Sequence, residues 1–133
     1  MSTLNQGISP RGRFAPPTAA LRRPIVLVED DEAIRETFCE LLEEEGYRVL
    51  TANNGREALD VLDSLHGEPC LVLLDMMMPV MDGWEFLGAL RTDQRDIPVV
   101  VISAVAEDTR GAVRVVRKPV DIDTLLDAVH QYA

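Results

Sequence analysis

Cysteine is scarce in this chain. Cys39 and Cys70 are the two it has; they form no CxxC pair, and both sit in apolar-rich stretches. A disulfide framework or a thiolate metal site is therefore not expected, and both read as free buried thiols. Long apolar runs are missing too. None approaches the ~20 residues that a membrane-spanning helix needs, and the first residues lack the continuous apolar stretch of a signal peptide. The expected location is the cytoplasm, with no membrane partner. Basic charge is also short: the formal net charge is −10 and the pI near 4.5. Such a balance disfavours nucleic acid as a partner of the folded part.

The acidity is uneven. Residues 1–23 hold Arg11, Arg13, Arg22 and Arg23 and no acid, together with Pro10, Pro16 and Pro17. With little apolar periodicity, 1–23 reads as a disordered basic tail. Residues 24–133 then form one domain, a size that supports a single core.

Within that domain, strand and helix patterns alternate. "PIVLVE" (24–29) is a β-branched run. "DEAIRETFCELLEEEG" follows, with Ile34, Phe38, Leu41 and Leu42 at helical spacing, Asp31 as cap and Gly46 as stop. "YRVLTA" (47–52) is a second strand. Asn54 and Glu57 then open a helix as a capping box, and Gly67 closes it. "CLVLLD" (70–75) is a third strand, and Asp82 and Glu85 form a second capping box for a helix over 82–91. "IPVVVISA" (97–104) and "AVRVVRK" (112–118) are the fourth and fifth strands. "DIDTLLDAVHQY" (121–132) is the last helix.

Strands one, three and four are continuously apolar, which marks a parallel sheet covered on both faces. Right-handed crossovers build it into an α/β doubly wound domain. For five strands the expected order is 2-1-3-4-5, the flavodoxin-like arrangement. Between strands four and five only "VAEDTRG" (105–111) remains, so the fourth helix should be very short or absent.

In such a sheet, ligands sit beyond the carboxyl ends of the strands. Strand one ends in Glu29, Asp30 and Asp31, strand three in Asp75, strand four in Ser103, and strand five in Lys118 followed by Pro119. Two carboxylates ~4 Å apart repel by about 4 kcal/mol at an effective dielectric of 20. The cluster is tolerable if a cation binds or one acid keeps its proton. An all-oxygen donor set selects Mg²⁺ or Ca²⁺, and few protein ligands favour Mg²⁺. With Lys118 and Ser103 added, the edge suits a phosphoryl group, toward which a carboxylate is a competent nucleophile.

"VLVEDD", "LVLLDMMMPVMDG", "VVVISA" and "RKP" together resemble the motifs of response-regulator receiver domains, over about residues 24–132. That resemblance implies roles. Asp75 would accept phosphoryl from a sensor histidine kinase or a phosphotransfer protein. Glu29, Asp30, Asp75 and the Met77 carbonyl would hold Mg²⁺. Ser103 would turn toward the phosphoryl group, and Lys118 would pair with it. Output would then be a downstream protein partner or a phosphorelay, since no output domain follows the last helix. The protein would not be an enzyme beyond phosphorylation and dephosphorylation of its own Asp75.

Several positions depart from the family pattern. Val115 stands where an aromatic switch residue is common. Met77 and Val105 occupy the two places that usually tune water access to the acyl phosphate; both are apolar, so slow self-dephosphorylation is expected. An unphosphorylated pseudo-receiver is the rival reading. An aspartate-nucleophile phosphohydrolase is a weaker one, because Met77 replaces the general acid it would need. The "MMM" run reads as packing rather than a soft-metal site. His66, His130 and Trp84 read as structural.

Overall fold

The computed structural model describes residues 23–104 and 109–133, and the backbone of 8–9 and 13–14. Five strands form one parallel sheet: β1 (Ile25–Val28), β2 (Val49–Ala52), β3 (Leu71–Asp75), β4 (Val99–Ser103) and β5 (Arg114–Arg117), in the order β2-β1-β3-β4-β5. The helices are α1 (Glu32–Glu44), α2 (Gly55–Ser64), α3 (Gly83–Thr92) and α4 (Ile122–Tyr132). This is the expected 2-1-3-4-5 order. Among the described residues no helix joins β4 to β5; residues 105–108, which fall in that crossover, lie outside them. In the leader, Ile8–Ser9 pairs antiparallel with Arg13–Phe14. The expectation of disorder for the rest of the leader lies outside the described residues.

Burial follows strand position. Every residue of β1, β3 and β4 is buried, while the edge strands β2 and β5 mix buried, half-buried and exposed residues. Alternate residues serve two separate cores. Val26, Val28, Val72, Leu74 and Val101 meet Ala58 and Leu62 of α2 and Phe86, Leu87 and Leu90 of α3. Ile25, Leu27, Leu71, Leu73, Val100 and Ile102 meet Phe38 and Leu42 of α1 and Leu125, Ala128 and Val129 of α4. At about 1.5–3 kcal/mol per fully buried aliphatic side chain, these faces set strand order and register.

The helix signals act nearly as the sequence indicates. Asp31 accepts from the Ile34 N–H, and Asp82 and Glu85 form a complete reciprocal capping box. The box at α2 is displaced by one residue. Asn54 accepts from the Glu57 N–H, but the Glu57 carboxylate reaches back to the N–H of Asn53 rather than that of Asn54. Gly46 (φ 93) and Gly67 (φ 109) take the left-handed backbone beyond the ends of α1 and α2.

The β3–α3 loop fits tightly under the site edge. The Gly83 N–H donates to the Met76 carbonyl at 2.9 Å. A Cβ at residue 83 would press on the Met76 sulfur, lie 2.7 Å from Met76 Cα and 3.0 Å from the Asp75 carbonyl oxygen. A Cβ at Gly88, inside α3, would meet nothing closer than the Arg91 guanidinium at 3.9 Å. Gly83→Ala should therefore destabilise the fold by about 1–3 kcal/mol through overpacking. Gly88→Ala should stabilise it by up to about 1 kcal/mol through helix propensity. Urea unfolding of the two variants checks the opposite signs.

Candidate functional site

Glu29 leaves the sheet at the end of β1. Its N–H still bonds the Ala52 carbonyl at 3.0 Å, and the residue is only 3% exposed. The chain then turns sharply into α1. The Asp31 N–H donates to Glu29 Oε2 at 3.1 Å, and Arg35 Nη1 donates to the Glu29 carbonyl oxygen at 2.9 Å. Glu29 is thus held at both its side chain and its backbone. Asp30, between these residues, is exposed.

Asp75 closes β3, between β1 and β4, and is likewise 3% exposed. Glu29, Asp30 and Asp75 each bring one carboxylate oxygen within 4.8 Å of the others. Lys118, just past β5, donates from Nζ to Asp75 Oδ1 at 3.1 Å. Its backbone N–H bonds the Ser103 carbonyl at 3.1 Å, and the Lys118–Pro119 peptide is cis. Ser103 ends β4, is buried, and lies one residue beyond Ile102, the register partner of Asp75. The Met77 side chain is exposed in the loop after Asp75, and Val105 lies outside the described residues.

The electrostatics of this edge are strained. Burial pushes the Glu29 carboxyl up from 4.5 to about 7. The Asp31 N–H opposes that rise, the Asp75 charge adds to it, and Lys118 opposes it in turn. A buried carboxyl that resists ionisation beside two more acids is short of positive charge. An all-oxygen donor set of this kind fits a hard divalent cation, and with three side chains it suits Mg²⁺.

The family profile of the response regulator receiver domain matches residues 25–130. The chain belongs to this family. The receiver is 36% identical over 119 residues to sporulation initiation phosphotransferase F of Bacillus subtilis, covering 84% of this chain and 94% of that protein. It is 39% identical over 109 residues to response regulator MprA of Mycolicibacterium vanbaalenii, covering 77% of this chain but 46% of that longer protein. Among solved structures it superposes on TrrA of Thermotoga maritima, in complex with Mg²⁺-BeF, with a TM-score of 0.74 and 34% identity, covering 84% of this chain and 99% of that one. The receiver domain of a histidine kinase from Syntrophus aciditrophicus gives 0.72 and 31%, covering 83% and 89%. Receiver domains are two-component signalling modules rather than substrate-turnover enzymes, and an acidic cluster is typical of them. Among the described residues no helix of this receiver is long and apolar enough to cross a membrane.

Other residues singled out in the sequence take structural places. Val115 is half-buried against the core under α2 and α3. His130 contacts Glu45 at 3.2 Å and lies 6.0 Å from the Tyr47 ring, at the far end of α1 from Asp31. Cys70 Sγ donates to the Pro24 carbonyl at 3.4 Å. Arg35 carries no motif that marks it. Its basic side chain four residues after a capping aspartate is the one available signal, and that pattern is common in solvated helices.

A raised Glu29 carboxyl has a definite linkage. Its protonated form is favoured by folding, so its contribution is complete below about 4.5 and is lost as pH rises through about 7. In chelator, Glu29→Gln should gain stability relative to wild type between about pH 5 and pH 8, by up to about 3 kcal/mol. Urea unfolding at both pH values checks this. Adding Mg²⁺ at the higher pH should stabilise wild type more than the variant.

Proposed function

We propose that this receiver takes a phosphoryl group on Asp75 from the phosphohistidine of a sensor histidine kinase or a phosphotransfer protein, and that the modified edge switches a protein–protein surface. One observation carries the reading: a buried carboxylate stands 3.1 Å from a lysine amine and within 4.8 Å of two further acids. The name of the Bacillus phosphotransferase and the Mg²⁺-BeF complex of the Thermotoga regulator support it. The chemistry takes place in the cytoplasm.

In the transfer, an Asp75 oxygen forms a bond to phosphorus as the phosphorus–nitrogen bond to the donor imidazole breaks. The electron pair returns to that ring nitrogen. Lys118 stays protonated and shifts its ion pair from the carboxylate to a phosphoryl oxygen. Glu29, Asp30, Asp75 and the Met77 carbonyl would hold Mg²⁺, which when bound would supply the counter-charge that phosphoryl oxygens need. The Ser103 hydroxyl donates to the phosphoryl group and draws the end of β4 with it. Added charge and acceptor oxygens then shift the loops after β3 and β4, and a partner reads the new surface. Met77 offers no group to orient an attacking water, so the acyl phosphate persists.

Incubation with Mg²⁺ and acetyl phosphate, followed by intact mass measurement, tests the reading. Wild type should gain one phosphoryl mass and Asp75→Asn none. An unchanged wild-type mass would favour the unphosphorylated binding module. The phosphorylated protein should lose its label several-fold faster after Met77→Asn; an unchanged or longer half-life would refute the role given to Met77.

A further inference from the structure

We infer that Arg35 is a positioning residue for the acidic pocket: its guanidinium clamps the Glu29 carbonyl and so sets where the Glu29 and Asp30 carboxylates sit for the cation. The inference rests on the cation-assisted reading above and adds a residue that touches neither the cation nor the phosphoryl group.

The geometry carries it. Glu29 follows the last ladder residue of β1, so its buried carbonyl has left the β-sheet's regular pairing and needs another donor. Arg35 Nη1 supplies that bond at 2.9 Å. Helical side chains lean toward the helix N-terminus, so a residue one turn into α1 reaches back to the strand it follows. Two local bonds complete the brace. The Asp31 N–H holds Glu29 Oε2 at 3.1 Å, and the Arg35 N–H bonds the Asp31 carbonyl at 2.9 Å. Arg35 is therefore joined by its backbone to the helix cap and by its side chain to the strand end. Glu29 carries one of those attachments, and Asp30 is the residue between them.

Arg35 also acts through its charge, and the two effects have opposite signs. A fixed positive charge near the pocket repels a cation, so removing it would tighten Mg²⁺ binding. Loss of the clamp frees the turn and misplaces the carboxylates, so removing it would weaken binding. Partners that orient ligands are commonly worth about 10-fold or more in metal affinity. An exposed or half-exposed charge contributes less, because solvent screens it. The clamp should dominate.

The test is calorimetric titration of the full chain with Mg²⁺ alone, at neutral pH. Arg35→Met should bind about 10-fold more weakly than wild type, and Arg35→Lys, which keeps one donor, should recover part of the loss. In a Glu29→Gln background, Arg35→Met should cost markedly less, since the carboxylate it positions is gone. Circular dichroism and urea unfolding identify variants that are folded at the titration temperature, and affinities are compared among those. If Arg35→Met proves unfolded, the Arg35→Lys loss and its coupling to Glu29→Gln decide the question. Unchanged or tighter binding in the folded Arg35 variants would overturn the role of Arg35 while leaving the cation site standing. No Mg²⁺ binding by wild type would overturn the cation reading itself, and this inference with it.

Discussion

Burial of two carboxylates at one sheet edge, beside a third acid, is the constraint on which the rest of this receiver depends. β1 and β3 are neighbours buried on both faces, so the acids at their ends cannot drift apart without disturbing two cores. Lys118 Nζ offsets part of the charge through its 3.1 Å bond to Asp75. Burial, more than the neighbouring Asp75 charge, raises the Glu29 carboxyl to about 7. Under the proposed function, stability given up at this edge would be recovered when a cation binds.

The surroundings divide into rigid and yielding parts. Asp75 belongs to a fully buried strand, and Glu29 is tied at both ends. The loop after Asp75 is different. Val80 is 79% exposed at φ 69, and the Met81 N–H closes a tight turn onto the Pro79 carbonyl at 2.8 Å. A β-branched residue held there costs about 1–3 kcal/mol and gains no packing in return. Tight packing of Gly83 on Met76 and the capping box at Asp82 hold the far side of that loop. Under the proposed function, a fixed Asp75 beside a strained, exposed loop would suit a site where a small chemical change must reach the surface.

The fold was legible because most of its signals are local. Continuous apolar runs, capping residues and Gly46 and Gly67 mark elements by their own chemistry, and alternation of strand and helix restricts the topology to few choices. The lack of a helix among the described residues between β4 and β5 was visible as a shortage of chain. The misses are small and have causes. The Glu57 carboxylate had two neighbouring N–H groups within reach, and the final backbone path into α2 chose Asn53. Nothing about valine announces a positive φ, so Val80 could not be anticipated. The place of Arg35 depends on a carbonyl that becomes unpaired only when the strand ends.

What the sequence determined by itself is the set of acids, the lysine and the hydroxyl, and the strand each would terminate, because apolar periodicity decides where a strand stops. Their meeting was decided by tertiary structure. Residues 29, 75 and 118 are far apart along the chain, and only parallel pairing of β1, β3, β4 and β5 in one register brings an ammonium to 3.1 Å from one carboxylate and two others within 4.8 Å. Burial and mutual charge then act on Glu29 together, and neither exists until the sheet has closed beneath it.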